Sequence, residues 1–204
     1  MKFTIVAIIA AALAAASPTA NYQRRKTCPA NGTLPPNYVK PSMIVNVSKK
    51  LPNVPFGKTQ KPLITPGDFC AIFNLELPPS ATDKICQLVF KFPDNKQTSN
   101  PFYYQTGKNG GHFSFTGYAI GAGATAKTTY KQQPAAGPNP PSPPAVLAPG
   151  NAYIINSAPC GLPAGLTKPV TVSGMLCSSD TTFNFLNSDA TCPIGFFVEL
   201  LDMN

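Results

Sequence analysis

The sequence predicts an all-β protein, an antiparallel β-sandwich stapled by disulfides. Three observations predict it. Short runs rich in Phe, Tyr, Val, Ile and Thr are separated by turn residues, with 24 Pro and 15 Gly supplying the punctuation. Helical periodicity is absent beyond the first residues. Six cysteines, Cys28, Cys70, Cys86, Cys160, Cys177 and Cys192, follow an export-type leader. An even cysteine count in an exported chain reads as a disulfide framework.

The leader comes first. Met1-Lys2 precede an apolar run from Phe3 to Ala16 that contains Ile5, Val6, Ile8, Ile9 and Leu13 and ends in three alanines. One positive charge, a short apolar core and small residues at its end describe a secretory signal peptide over 1–16. The run is shorter than the roughly 20 apolar residues that span a bilayer. Cleavage is expected after Ala16, with Ala20 as the alternative, and Arg24-Arg25-Lys26 resembles a dibasic site with a cut after Arg25. The segment 17–41 is assigned as a basic arm or propeptide, and 42–204 as the sandwich domain. The ending FFVELLDMN lacks the apolar tail of a lipid-anchor signal, so no membrane anchor is expected.

Candidate strands then follow at 42–48, 69–77, 85–92, 101–106, 112–118, 125–132, 151–157, 169–176, 181–187 and 194–201. In 69–77, Phe69, Ala71, Phe73, Leu75 and Leu77 share one face opposite Asn74 and Glu76. In 86–92, Cys86, Leu88, Phe90 and Phe92 share a face opposite Gln87 and Lys91. Period-two alternation with one apolar face describes a sheet packed on one side and wet on the other, and two such sheets face to face make a sandwich. By the same reasoning Glu76 and Glu199 are placed on wet faces. Residues 134–149 carry seven prolines and no charge; without ladder donors they read as a semi-rigid polyproline-like loop.

The net charge of +8 is one-sided. Nine basic residues and no acid precede Asp68, whereas from Asp68 onward seven lysines meet eight acids. The excess is read as a solvated basic arm, or as a patch for anionic wall polymers or a host surface. No nucleic-acid partner is assigned.

Chemistry-bearing residues are sparse. His112 is the only histidine; Ser114 lies two positions on, a spacing that points both side chains the same way without bringing them into proton-transfer contact. No G-x-S-x-G elbow occurs. The carboxylates Asp68, Glu76, Asp83, Asp94, Asp180, Asp189, Glu199 and Asp202 show no arrangement that favours a glycosidase pair. Without C-x-x-C, a redox or zinc site is unsupported. No catalytic residue, metal ligand or cofactor is therefore assigned. Tyr103, Tyr104, Tyr118 and Tyr130 are candidates for a sugar-stacking platform, although tryptophan is absent and adjacent Tyr103 and Tyr104 must face opposite ways. Sequons at Asn31 and Asn46 are candidate N-glycan acceptors.

Several phrases, in order, carry a resemblance: AIFNLELPP (71–79), CQLVFKFP (86–93), GGHFSF (110–115), LAPGNAYII (147–155), APCGLPAG (158–165) and PIGFFVELL (193–201). Together they resemble the fungal But-two C-terminal domain family, from about Phe69 to the end, with 134–146 as a departure. The resemblance implies a β-sandwich found mostly in secreted or wall-associated proteins, without catalytic residues to carry over. It also implies a pairing of Cys86 with Cys160, which occupy family positions, while Cys28, Cys70, Cys177 and Cys192 are additional and their pairing stays open. His112 stands where the family has an apolar residue. The expected function is that of a secreted, non-catalytic extracellular or cell-wall protein acting by surface interaction, on wall polysaccharide or a host surface receptor. An effector or elicitor recognised by a host is the alternative, and a carbohydrate-active or carbohydrate-binding protein the third.

Overall fold

The computed structural model describes residues 27–138, 142 and 144–203. The expected signal peptide and the candidate cuts after Ala16, Ala20 and Arg25 lie outside those residues, as do 139–141 and Pro143 of the Pro-rich loop.

Alternating apolar runs become eleven strands: β1 (Tyr38–Val39), β2 (Pro41–Ser48), β3 (Leu63–Ile64), β4 (Phe69–Leu77), β5 (Lys84–Phe92), β6 (Phe102–Thr106), β7 (Phe113–Gly117), β8 (Asn151–Pro159), β9 (Val170–Ser178), β10 (Thr181–Phe185) and β11 (Gly195–Asp202). A single 3-10 turn spans Pro79–Ala81, and no described helix is long and apolar enough to cross a membrane. The strands form a sheet of order β1-β11-β5-β8, a second of order β2-β4-β9-β7, and a small third of order β3-β10-β6, with antiparallel neighbours throughout.

The two larger sheets enclose an aromatic core. Phe73 of β4 meets Phe196 of β11 at 5.0 Å between ring centroids, and Phe90 meets Phe196 at 4.8 Å. The third sheet adds Phe183 and Phe185, stacked at 4.5 Å, against Phe90 and Phe92. Edge-to-face and offset contacts of this kind stabilise beyond their buried area.

Three disulfides staple the fold. Cys86–Cys160 ties β5 to the chain just beyond β8, Cys70–Cys177 links the paired strands β4 and β9, and Cys28–Cys192 holds the start of the described chain to the turn before β11.

Both larger sheets are covered on their outer faces, which corrects the one-wet-face expectation. On the β11-β5 sheet, Lys91 is only 2% exposed, and Glu199 and Phe197 are buried as well. Lys91 Nζ lies 2.6 Å from Glu199 Oε1 and donates to the Asn31 carbonyl at 2.6 Å; Tyr38 packs edge-on to Phe197. The covering element is the segment from Cys28 to Val39, which carries no alternating pattern of its own. The side-chain period alone cannot reveal such a lid.

On the β4-β9 sheet the cover is the chain around 118–137. The predicted strand 125–132 is not a strand, because its threonines bond locally. Thr128 Oγ1 accepts the Thr125 N–H at 2.8 Å, and Thr129 Oγ1 accepts the Gln132 N–H at 3.1 Å. Such short side-chain bonds offer the backbone an alternative to the ladder. Asn74, placed by alternation on the polar face, is buried and brackets Ala124: its amide donates to the Ala124 carbonyl and its carbonyl accepts the Ala124 N–H, both at 2.9 Å. A Cβ on Gly123 would meet the Asn74 amide at 2.9 Å and Thr171 Cγ2 at 2.8 Å, so the bracket closes only over a glycine.

Candidate binding cleft between the sheets

The inner faces do not close along their whole length. Where β7 and β8 form the exposed edges of the two large sheets, several inward positions carry small residues. Gly117 of β7 sits opposite Gly174 of β9 in register, and Ala158 of β8 sits opposite Cys86 of β5. The tip of the Phe115 ring approaches the bare backbone of Gly174, whose Cβ would meet the ring at 2.2 Å. The result is a cleft of about 320 Å3.

Its walls are Leu75, Val172, Leu88, Val198 and Phe196, with the Cys86–Cys160 disulfide at one side. Among the described residues, no Asp, Glu, Lys, Arg or His lines it. Tyr118 closes one corner; its hydroxyl donates to Gln133 Oε1 at 2.8 Å, and burial pushes that phenol well above its ordinary value. A bulge at Ile155 in β8 resets the alternation, sending Ile155 into the core and leaving Asn156 exposed at the opening. Ile120, 68% exposed, stands at the same mouth. A concave, mostly apolar space with a few polar groups is the usual form of a small-molecule site. This lining suits an uncharged, apolar guest.

Cys86, Cys160 and Tyr118 line the cleft, and the other sequence-predicted site residues lie elsewhere. His112 Nδ1 is 2.6 Å from Asp180 Oδ2, at the surface. Asp180 also accepts from the Thr181 hydroxyl at 2.6 Å and from the His112 N–H at 3.2 Å. Those bonds, the Thr181 hydroxyl first and His112 next, hold the Asp180 carboxyl far below the usual carboxylate range. The cluster latches the start of β7 to the β9–β10 turn. The Asp180 partner lies 68 residues from His112, so no local pattern signals it.

Four further carboxylates are engaged by structural partners. Asp189 takes the Lys40 ammonium and the Tyr38 hydroxyl, each at 2.9 Å, and Asp202 pairs with Lys84. Asp68 accepts from Ser48 and from the Lys50 N–H, Glu76 from Ser42 and Thr171.

The four tyrosines do not share a platform. Tyr103 is exposed, Tyr104 turns inward to bond the Leu147 carbonyl at 2.8 Å, and Tyr118 is buried. Asn31 is exposed with φ 56°. Asn46 instead has its side chain engaged, its carbonyl accepting the Leu63 N–H at 3.0 Å.

The fold is thus a disulfide-stapled β-sandwich with an uncharged cleft between its sheets. Residues 39–190, about three quarters of the chain, match the family model described as ubiquitin 3 binding protein But2 C-terminal domain. The chain belongs to that family. No curated protein matches it, and no solved structure does.

Proposed function

We propose that the protein is exported and works outside the cell or in its wall as a non-catalytic binding protein, holding a slender apolar ligand between its sheets. The observation that carries the binding part is the uncharged cleft open at the β7–β8 seam, with Ile120 exposed beside it. An aliphatic chain entering it would bury methylenes at roughly 0.8 kcal/mol each. A sugar ring would leave its hydroxyls facing leucine, valine and phenylalanine with almost no partners, which weighs against the carbohydrate reading. Export is supported by the leader pattern and by three disulfides, which persist in oxidising compartments. The ubiquitin-type binding in the family's description needs an intracellular setting, so it is not adopted.

Displacement of a fluorescent aliphatic probe tests this reading. Decanol is expected to displace the probe from the protein, and chitin or glucan oligomers are not. Ala158→Phe, which fills the cleft from its β8 wall, is expected to weaken probe binding at least about tenfold. Equal binding by Ala158→Phe and the parent would remove the cleft from consideration.

Export also sets up a test at the sequons. Asn31 presents a free exposed side chain, whereas a glycan on Asn46 would displace its bond to Leu63. Secreted protein is expected to carry a glycan at Asn31 and none at Asn46, read by peptide mass before and after glycosidase. A glycan on Asn46 in otherwise folded protein would contradict the placement.

A further inference from the structure

Between β2 and β3 the chain reads KKLPNVPFGKTQK, from Lys49 to Lys61. It holds four lysines and no acid, and none of its residues is buried. Leu51, Val54 and Phe56 are 50%, 41% and 38% exposed. Single exposed apolar side chains are ordinary, but three within six residues, flanked by cations, make a patch.

The loop is held in place at several points. Ser48 Oγ accepts the Leu51 N–H at 3.1 Å, and the Val54 N–H closes a turn on the Leu51 carbonyl at 3.1 Å. Lys131 donates its N–H to the Pro52 carbonyl at 2.9 Å, which sets a further exposed lysine beside the turn. Phe56 packs edge-on against Phe69 at 5.1 Å, and the Thr59 N–H returns to the Ile44 carbonyl at 2.9 Å. A loop already ordered loses little freedom on docking. The nearest acid engaged with this loop, Asp68, is turned onto the Ser48 hydroxyl and the Lys50 N–H.

We propose that this loop docks the protein onto an anionic lipid surface, with Leu51, Val54 and Phe56 entering the interfacial layer and Lys49, Lys50, Lys58 and Lys61 facing the headgroups. The lysines select the sign of the partner. The apolar trio selects lipid over an anionic polysaccharide or nucleic acid, because only a bilayer gives those side chains a medium to enter. Buried apolar area and electrostatic attraction to anionic lipids together set the strength of interfacial binding.

Sedimentation of the secreted chain with vesicles tests it, using phosphatidylcholine alone and phosphatidylcholine with about one third phosphatidylserine. Binding is expected only to the anionic vesicles, falling as salt rises. Replacing all four lysines with Gln is expected to lower the partition coefficient by at least about a hundredfold. The combined Leu51→Ser, Val54→Ser and Phe56→Ser variant is expected to lower it at least about tenfold, with retention on a heparin column unchanged. If that variant is less stable, the single Val54→Ser change decides, with a smaller loss of the same sign. No sedimentation with anionic vesicles at low salt overturns the proposal. Serine variants that bind vesicles like the parent also overturn it, and assign the loop to anionic polymers instead.

Discussion

Lys91→Met is expected to cost about 3–5 kcal/mol of stability, because it strands a buried carboxylate. Lys91 and Glu199 sit under the N-terminal segment, Nζ to Oε1 2.6 Å, and the same ammonium holds the Asn31 carbonyl. Losing the lysine leaves Glu199 without its counter-charge and frees the segment's grip on the sheet. In a protein of this size the melting temperature should fall by on the order of 10 °C. The double variant Lys91→Met with Glu199→Leu is expected to recover most of the loss, since removing both charges also removes their desolvation cost. Thermal unfolding of the single and double variants makes the check. A single variant within about 1 kcal/mol of the parent would mean that water reaches the pair.

Cys86→Ser comes next in size. The Cys86–Cys160 bridge joins residues 74 apart in sequence, and a loop of that length restricts the unfolded chain by about 4 kcal/mol in the entropy account. The Cys160 N–H already donates to the Lys84 carbonyl at 2.9 Å, so the serine variant keeps a short continuation of the β5–β8 ladder and should fold. Its melting temperature is expected to drop by on the order of 10 °C, and Cys160 should react with a thiol alkylator. Apolar probe binding measured well below the lowered melting point is expected to persist, because the rest of the cleft wall stands. An unchanged melting temperature would contradict a stabilising bridge, and lost probe binding at unchanged stability would give Cys86 a direct role at the cleft.

The strands with inward phenylalanines were legible from the sequence. Phe90 and Phe92, or Phe183 and Phe185, alternate with polar neighbours, and that period marks a strand without further information. The covers were not legible. Lys91 and Asn74 looked solvent-facing because their strands alternate, yet each is buried by a segment that lacks any period: the stretch after Cys28 over Lys91, and Ala124 over Asn74. The short strands Tyr38–Val39 and Leu63–Ile64 are two residues each, below the length at which alternation can register. The cleft escaped for a related reason. It is made by what is missing at Gly117 and Ala158, and register between distant strands decides that those gaps meet. A glycine in a strand pattern is the one local signal, since it marks a close approach or an unfilled space.

The proposed occupant of the space between the sheets is an aliphatic guest. Intermolecular nuclear Overhauser effects between decanol and the methyl-labelled protein test it most directly. Contacts are expected from the decanol methylenes to the methyls of Leu75, Leu88, Val172 and Val198, with Ile120 touched near the mouth. Contacts confined to exposed methyls such as those of Leu51 and Ile154, or none at all at saturating decanol, would contradict it.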